Sequence, residues 1–116
     1  MDLVVRHLDP GDVPGLSLAG EVDMATAPRL HDALVQLAAE HPGATAVIDL
    51  DGVAFLDSLG LGVLLGGLRR MRTTGGDLSL VCTNPRLLDV LASCRLDRVF
   101  EIHRSVAEAN RVAHDG

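Results

Sequence analysis

The chain has 116 residues, of which 47% are hydrophobic, and a formal net charge of −6. This length suits one domain over residues 1–116 with a sizeable core, and the core must be aliphatic because the chain has two Phe and no Trp or Tyr. The acidic balance and the shortage of aromatic residues argue against a base-stacking nucleic-acid platform, which needs basic and aromatic side chains.

The two cysteines, Cys82 and Cys94, form no CxxC pair and no disulfide framework. We therefore expect reduced thiols, as in a cytosolic protein. No basic stretch followed by an apolar core opens the sequence, so we expect no signal peptide. The longest apolar run, 59–68, is shorter than the ~20 residues that span a bilayer. These features predict a soluble cytoplasmic protein.

Strand, turn and helix signals follow one another through the first part of the chain. Two apolar runs, 3–8 and 16–20, flank a segment rich in Pro, Gly and Asp, which predicts a β-hairpin with a long loop. Thr26 is a plausible N-cap, with Pro28 in the first turn, for a helix that ends near residues 41–43. The apolar stripe of this amphipathic helix consists of Leu30, Leu34, Leu37 and Ala38.

The centre of the chain carries an apolar run that leads into a serine. Residues 44–50 predict a buried strand, and the Asp-Gly pair at 51–52 predicts a turn after it. Residues 53–56 then lead to the Asp-Ser pair at 57–58, where we expect a helix that runs to about Arg72.

The remaining elements complete an α/β pattern. A strand at 78–81, a helix capped by Asn84, an edge-like strand at 99–102 and a last helix from Ser105 through Val112 are predicted in that order. Because strands and helices alternate after residue 44, the predicted fold is a single α/β domain with a mixed, mostly parallel sheet. The N-terminal hairpin should lie at one side of this sheet, and about four helices should cover it.

Helical periodicity divides the helix after Ser58 into two faces. The core face is predicted to hold Leu61, Leu64, Leu65, Leu68 and Met71. The opposite face is predicted to be flat, exposed and mildly apolar; it holds Leu59, Val63, Gly66 and Arg70, with Gly62 and Gly67 at its margins. Such a patch beside a serine suits docking of another protein. In the alternative interpretation, the glycines only permit tight packing inside the domain.

Two parts of the sequence resemble the signatures of STAS-domain anti-sigma factor antagonists. The first is LAGEVD at 18–23 followed by TAPRL at 26–30, and the second runs from IDL at 48–50 through FLDSLGLGVL at 55–64. The segment VFEIH at 99–103, followed by a short helix, fits the same family. The resemblance therefore covers nearly the whole chain.

The resemblance implies a phosphorylation switch. In the family, the first hydroxyl residue of an Asp-Ser-(Ser/Thr)-Gly motif accepts a phosphate from an anti-sigma factor that is itself a serine kinase, and here that residue is Ser58. The unphosphorylated protein binds the anti-sigma factor and frees a sigma factor, and a PP2C-type phosphatase resets the switch. The resemblance also places Asp23 near the partner surface, whereas Leu59 departs from the motif, which usually has Ser or Thr there.

The exposed helix face and the resemblance together define a predicted partner surface. It comprises Asp23, Asp57, Ser58, Leu59, Gly62, Val63 and Gly66. Two simpler roles stay open: Asp57 or Ser58 as the helix N-cap, and Asp23 as a turn residue. The rival function is that of an unregulated STAS subunit in a lipid-transport or stressosome-like assembly, which docks by the same helix without phosphorylation.

Enzymatic interpretations of the same segment meet specific objections. Gly60-x-Gly62 after a strand is reminiscent of nucleotide binding, but the run is neither GxGxxG nor a Gly-Lys-Ser/Thr loop. An esterase-like nucleophile at Ser58 needs glycine two residues earlier, where the chain has Leu56. The five histidines show no triad grouping or metal-ligand spacing. We therefore expect a protein that is not an enzyme and needs no metal or cofactor.

Overall fold

Five strands form one sheet in the computed structural model, which describes residues 2–115. The strands are β1 (Leu3–His7), β2 (Gly15–Val22), β3 (Thr45–Leu56), β4 (Asp77–Val81) and β5 (Ile102–His103). They lie side by side in chain order; β1 is antiparallel to β2, and all other neighbours are parallel. The helices are α1 (Ala27–Glu40), α2 (Ser58–Thr73), α3 (Pro85–Ser93) and α4 (Val106–Asp115). The predicted mixed sheet with an N-terminal hairpin at its edge is confirmed.

The two faces of the sheet carry separate apolar cores. Because side chains alternate along a strand, Ile48 and Leu80 face α1, α2 and α3, whereas Val47 and Val81 face α4. Three helices therefore cover one face and α4 covers part of the other. Within residues 2–115, no helix has the length and hydropathy needed to traverse a bilayer.

β3 is one continuous strand of 12 residues, so the turn predicted at residues 51–52 is wrong. Two register shifts against β2 absorb the irregularity instead. A Cβ added to Gly52 would lie 2.7 Å from the Leu18 carbonyl oxygen, so this glycine allows close approach of two strands. The Asp51 carboxylate accepts hydrogen bonds from the backbone nitrogen of Thr83 at 2.7 Å and from its hydroxyl at 3.0 Å. These bonds tie β3 to the segment that leads into α3.

The strand predicted at 99–102 begins later and is shorter. A 3-10 turn at Leu96–Arg98 precedes it, entered through Arg95 in the left-handed region at φ 59°. The N–H of Phe100 closes this turn with a 2.8 Å hydrogen bond to the Leu96 carbonyl, which places the phenyl ring in the core. Only Ile102 and His103 then pair with β4. Val99 and Phe100, which β propensity favours for a strand, therefore belong to the turn instead.

Side-chain hydrogen bonds fasten α4 to the rest of the domain. The Ser105 hydroxyl accepts from the Glu108 N–H at 3.0 Å, so the predicted cap is confirmed. The helix runs to Asp115, beyond the predicted end at Val112. Asn110 bridges to the β1–β2 loop: its amide donates to Asp12 at 2.6 Å and its oxygen accepts from the Val13 N–H at 2.8 Å.

Candidate partner-binding surface

Ser58 is the first residue of α2 and is exposed where β3 ends. The N-cap is Asp57, whose carboxylate accepts a 3.0 Å hydrogen bond from the Gly60 N–H. The Asp57 N–H donates to the Val22 carbonyl at 3.1 Å, which holds this junction against the end of β2. The sequence left the N-cap of this helix open between Asp57 and Ser58, and the structure assigns it to Asp57. The Ser58 side chain is presented to solvent.

The glycines of α2 fall into two classes. A Cβ added to Gly60 would lie 2.6 Å from Leu56 Cδ1, and one added to Gly67 would lie 2.9 Å from Leu34 Cδ1. By contrast, an added Cβ at Gly62 or Gly66 meets nothing within 4 Å. Tight packing explains the first pair, and an open helix face explains the second. The prediction that Gly67 borders the exposed face is wrong, because Gly67 is buried against α1.

The buried side of α2 is rotated slightly from the predicted one. Leu61, Leu64, Leu68 and Met71 are buried as expected. Leu65, predicted in the core, and Val63, predicted to be exposed, are both half-buried, and both pack against the core. The helix packs on α1 as well as on the sheet, so its contact stripe includes Gly60 and Gly67.

Asp23 and Thr26 build the corner between β2 and α1. The Asp23 carboxylate accepts hydrogen bonds from the N–H groups of Ala25 at 2.9 Å and Thr26 at 3.1 Å. Thr26 stands at the N-cap position as predicted, but its buried hydroxyl does not cap α1. It donates to the Glu21 carbonyl at 2.8 Å and accepts from the Asp23 N–H at 3.0 Å. Asp23 thus shapes the corner, as a turn residue does.

Substitution of Asp23 should separate this turn role from a partner contact. We expect Asp23→Ala to lower the free energy of unfolding by about 1 kcal/mol, because the Ala25 N–H loses its acceptor and the Thr26 N–H keeps only the Asp23 backbone carbonyl at 3.2 Å. Asp23→Asn keeps an acceptor oxygen and should stay close to the wild type in urea unfolding. Equal destabilisation by both variants would contradict the turn role. If Asp23→Asn keeps its stability but loses partner binding, the charge of Asp23 acts at the interface.

An apolar groove lies between this corner and α2, next to Ser58. Its volume is about 320 Å³, and its lining comprises Met24, Ala27, Pro28, His31, Leu59 and Val63. The side chains of Met24 and Leu59 are large and exposed, at 76% and 50%. None of the four lining residues that precede α2 was predicted to belong to the partner surface. The available signal was Met24, an apolar residue placed in a turn.

The two cysteine thiols lie outside the lining of this groove. Burial raises the pKa of the Cys82 thiol above its ordinary value of 9.0; a hydrogen bond with the Asn84 backbone opposes this shift, and the Asp51 and Asp49 carboxylates add to it. The thiol is therefore protonated at neutral pH and is a poor nucleophile. Cys82 and Cys94 are both free, as predicted. Among the residues that the structure describes, no three His, Cys, Asp or Glu side chains are grouped to hold a metal ion.

Comparison with known proteins gives consistent matches. The family model of the STAS domain matches residues 9–109. The anti-sigma-B factor antagonist of Bacillus subtilis is 36% identical over 87 residues, which cover 75% of this chain and 78% of the relative. The anti-sigma-B factor antagonist of Listeria monocytogenes is 33% identical over 93 residues, which cover 80% of this chain and 81% of that one.

A solved structure agrees over nearly the full length. The crystal structure of an anti-sigma factor antagonist from Mycobacterium paratuberculosis matches with a TM-score of 0.86 and 29% sequence identity, and covers 97% of this chain and 94% of that chain. Its fold and the sequence matches point to the same group of proteins. The chain belongs to the STAS domain family of anti-sigma factor antagonists.

Proposed function

We propose that this protein binds an anti-sigma factor serine kinase in its unphosphorylated form and thereby releases a sigma factor. Phosphorylation of Ser58 by that kinase switches the binding off. The observation that carries the proposal is the position of Ser58: it is exposed at the start of α2, while Asp57 caps the helix in its place. Its hydroxyl can thus accept a phosphate without loss of a capping bond.

The proposed interface extends from Ser58 along α2. Leu59 and Val63 supply apolar contact, and the open sides of Gly62 and Gly66 let a partner approach the helix backbone closely. Asp57 and Asp23 hold the two segments that frame this surface through their bonds to backbone N–H groups. A flat apolar surface of this kind is typical of the centre of a protein interface.

A phosphate fits the electrostatics of this position. The N-terminus of α2 carries the positive end of the helix dipole, which favours negative charge. The added charge of roughly −1.5 to −2 should therefore leave the fold intact. It should act at the interface, where docking would strip water from a dianion that faces apolar side chains. The proposed activity of this chain is binding and not catalysis. We place it in the cytoplasm, where a PP2C-type phosphatase removes the phosphate and restores the Ser58 hydroxyl.

Phosphotransfer tests the proposal directly. Each anti-sigma factor kinase of the source genome is purified and incubated with this protein and ATP, and mass spectrometry locates the phosphate. We expect a single phosphate on Ser58 from the cognate kinase and none on Ser58→Ala. The serines at 17, 79, 93 and 105 serve as internal controls.

Two outcomes would contradict the proposed switch. A phosphate on another residue would move the switch away from α2. Binding of a partner without any phosphotransfer would favour the alternative function, an unregulated STAS subunit of a lipid-transport or stressosome-like assembly. The departure from the family motif at Leu59, which borders the acceptor serine, is the observation that favours this alternative.

A further inference from the structure

We propose that the groove between the β2–α1 corner and α2 receives a bulky apolar side chain of the anti-sigma factor. Met24 and Leu59 are then the residues that determine which anti-sigma factor this protein accepts. The inference rests on the proposed function, because the groove continues the surface around Ser58. It adds a shallow selectivity groove to that surface, and one of its two selectivity residues, Met24, precedes α1.

The exposure of Met24 and Leu59 indicates a surface that a partner can cover. Large hydrophobic side chains with high exposure are few among the described residues, and two of them, Met24 and Leu59, line the same groove. They come from positions 35 residues apart in the chain and meet because α1 packs against α2. Covering both would remove contiguous apolar surface from water, which is the main source of affinity at interface centres.

The chemistry of the lining selects an apolar occupant. Ala27 and Pro28 form the α1 side, and His31 is the only polar side chain in the lining, with its Nδ1 3.3 Å from the Asp32 carboxylate. The acidic side chains that border the lining in sequence already have partners: Asp23 and Asp57 accept hydrogen bonds from N–H groups of their own segments, and Asp32 lies against His31. The groove thus offers little to a polar or charged group, which would lose its water without gaining a partner.

Position 59 determines the chemistry of the α2 side of the groove. Leu59 directly follows Ser58 and is half exposed, so a hydrocarbon wall stands beside the switch serine. A groove with two apolar walls favours a bulky apolar side chain and disfavours a polar one. Binding sites discriminate among partners in this way. Leu59 therefore narrows the choice of anti-sigma factor and leaves the acceptor Ser58 in place.

Binding measurements on wall variants test the inference. Leu59→Thr and Met24→Thr are compared with Met24→Leu, which keeps an apolar wall, and with Val112→Thr, a similarly exposed residue on α4. Each is titrated calorimetrically with every purified anti-sigma factor kinase of the source genome, in the presence of ADP. For the kinase that binds the wild type, we expect each wall variant with threonine to raise Kd by about tenfold. Val112→Thr should keep the wild-type Kd, and Met24→Leu should lose clearly less affinity than Met24→Thr.

The outcomes separate this inference from the proposed function. Wild-type Kd for Leu59→Thr and Met24→Thr, together with weakened binding by Ser58→Asp, would overturn the groove and leave the switch standing. An affinity loss for Val112→Thr as large as for the wall variants would also overturn the groove. Failure of the wild type to bind any of the kinases would overturn both proposals. Because both wall side chains are exposed, melting temperatures should stay unchanged, which verifies that each variant is folded.

Discussion

Alanine at Gly60 should lower the free energy of unfolding by about 1–3 kcal/mol, whereas alanine at Gly62 should leave it unchanged or raise it by up to about 1 kcal/mol. A Cβ added to Gly60 would lie 2.6 Å from Leu56 Cδ1 and 2.7 Å from Val22 Cγ1. The branched valine is stiff at χ1 and cannot move aside cheaply. At Gly62 nothing lies within 4 Å, so only the helix propensity of alanine counts.

Urea unfolding of the two variants measures this difference. They are a matched pair, because each replaces a glycine of α2 with alanine. Gly67→Ala and Gly66→Ala form a second matched pair with a smaller expected gap. The nearest atoms to a Cβ at Gly67 are the ends of the Leu34 side chain, which can shift. Equal stability of Gly60→Ala and Gly62→Ala would show that α2 can move away from the sheet at its N-terminus.

The packing at Gly60 also has a consequence for the site. Its two close neighbours, Val22 and Leu56, directly precede Asp23 and Asp57. The contact therefore joins the ends of β2 and β3 to the first turn of α2, and these are the segments that present Ser58 and the corner. A side chain at Gly60 would displace the site as well as destabilise the domain, because close-packed interiors transmit strain.

Much of the fold follows from local patterns in the sequence. Alternation of apolar residues, the Pro-Gly-rich loop, a helix start at Asp57 or Ser58 and the cap at Asn84 predict the order of elements and the mixed sheet. The misplaced turn within β3 has a physical cause: an Asp-Gly pair reads as a turn locally, but here Gly52 fits against β2 and Asp51 bonds to Thr83. Both interactions are tertiary, and no local pattern contains them.

The candidate site was predictable only in part, for a similar reason. The exposure of Leu59 and Gly62 follows from helical periodicity within one segment, and the choice of Ser58 follows from the resemblance of its segment to the family signature. The groove has walls from two segments, at Met24 and Leu59, and exists only because α1 packs beside α2. Periodicity also missed the burial of Gly67, since the position of α1 rotates the contact stripe of α2. To predict a site that two elements build, one must know how they pack, and the local patterns of a single sequence do not reveal this.

A phosphate on Ser58 should weaken binding to the cognate anti-sigma factor kinase by about a hundredfold while the melting temperature stays within a few degrees of the unmodified protein. The fold should tolerate the charge because α2 begins at Ser58 and its dipole is positive there. The interface should not, because the charge lies beside Leu59, on the rim of an apolar groove, and docking would remove its water.

Charge and volume can be separated with two variants of nearly equal size. Ser58→Asp should reproduce most of the loss of affinity, whereas Ser58→Asn, which adds the same volume without charge, should lose much less. Calorimetric titration with the kinase gives the affinities, and thermal unfolding gives the stabilities. Equal binding of Ser58→Asp and wild type would exclude an electrostatic switch at this residue. Equal loss by both variants would point to a steric one. A collapsed melting temperature would mean that the charge acts on the fold and not on the interface, since the N-terminus of α2 would then fail to accommodate it.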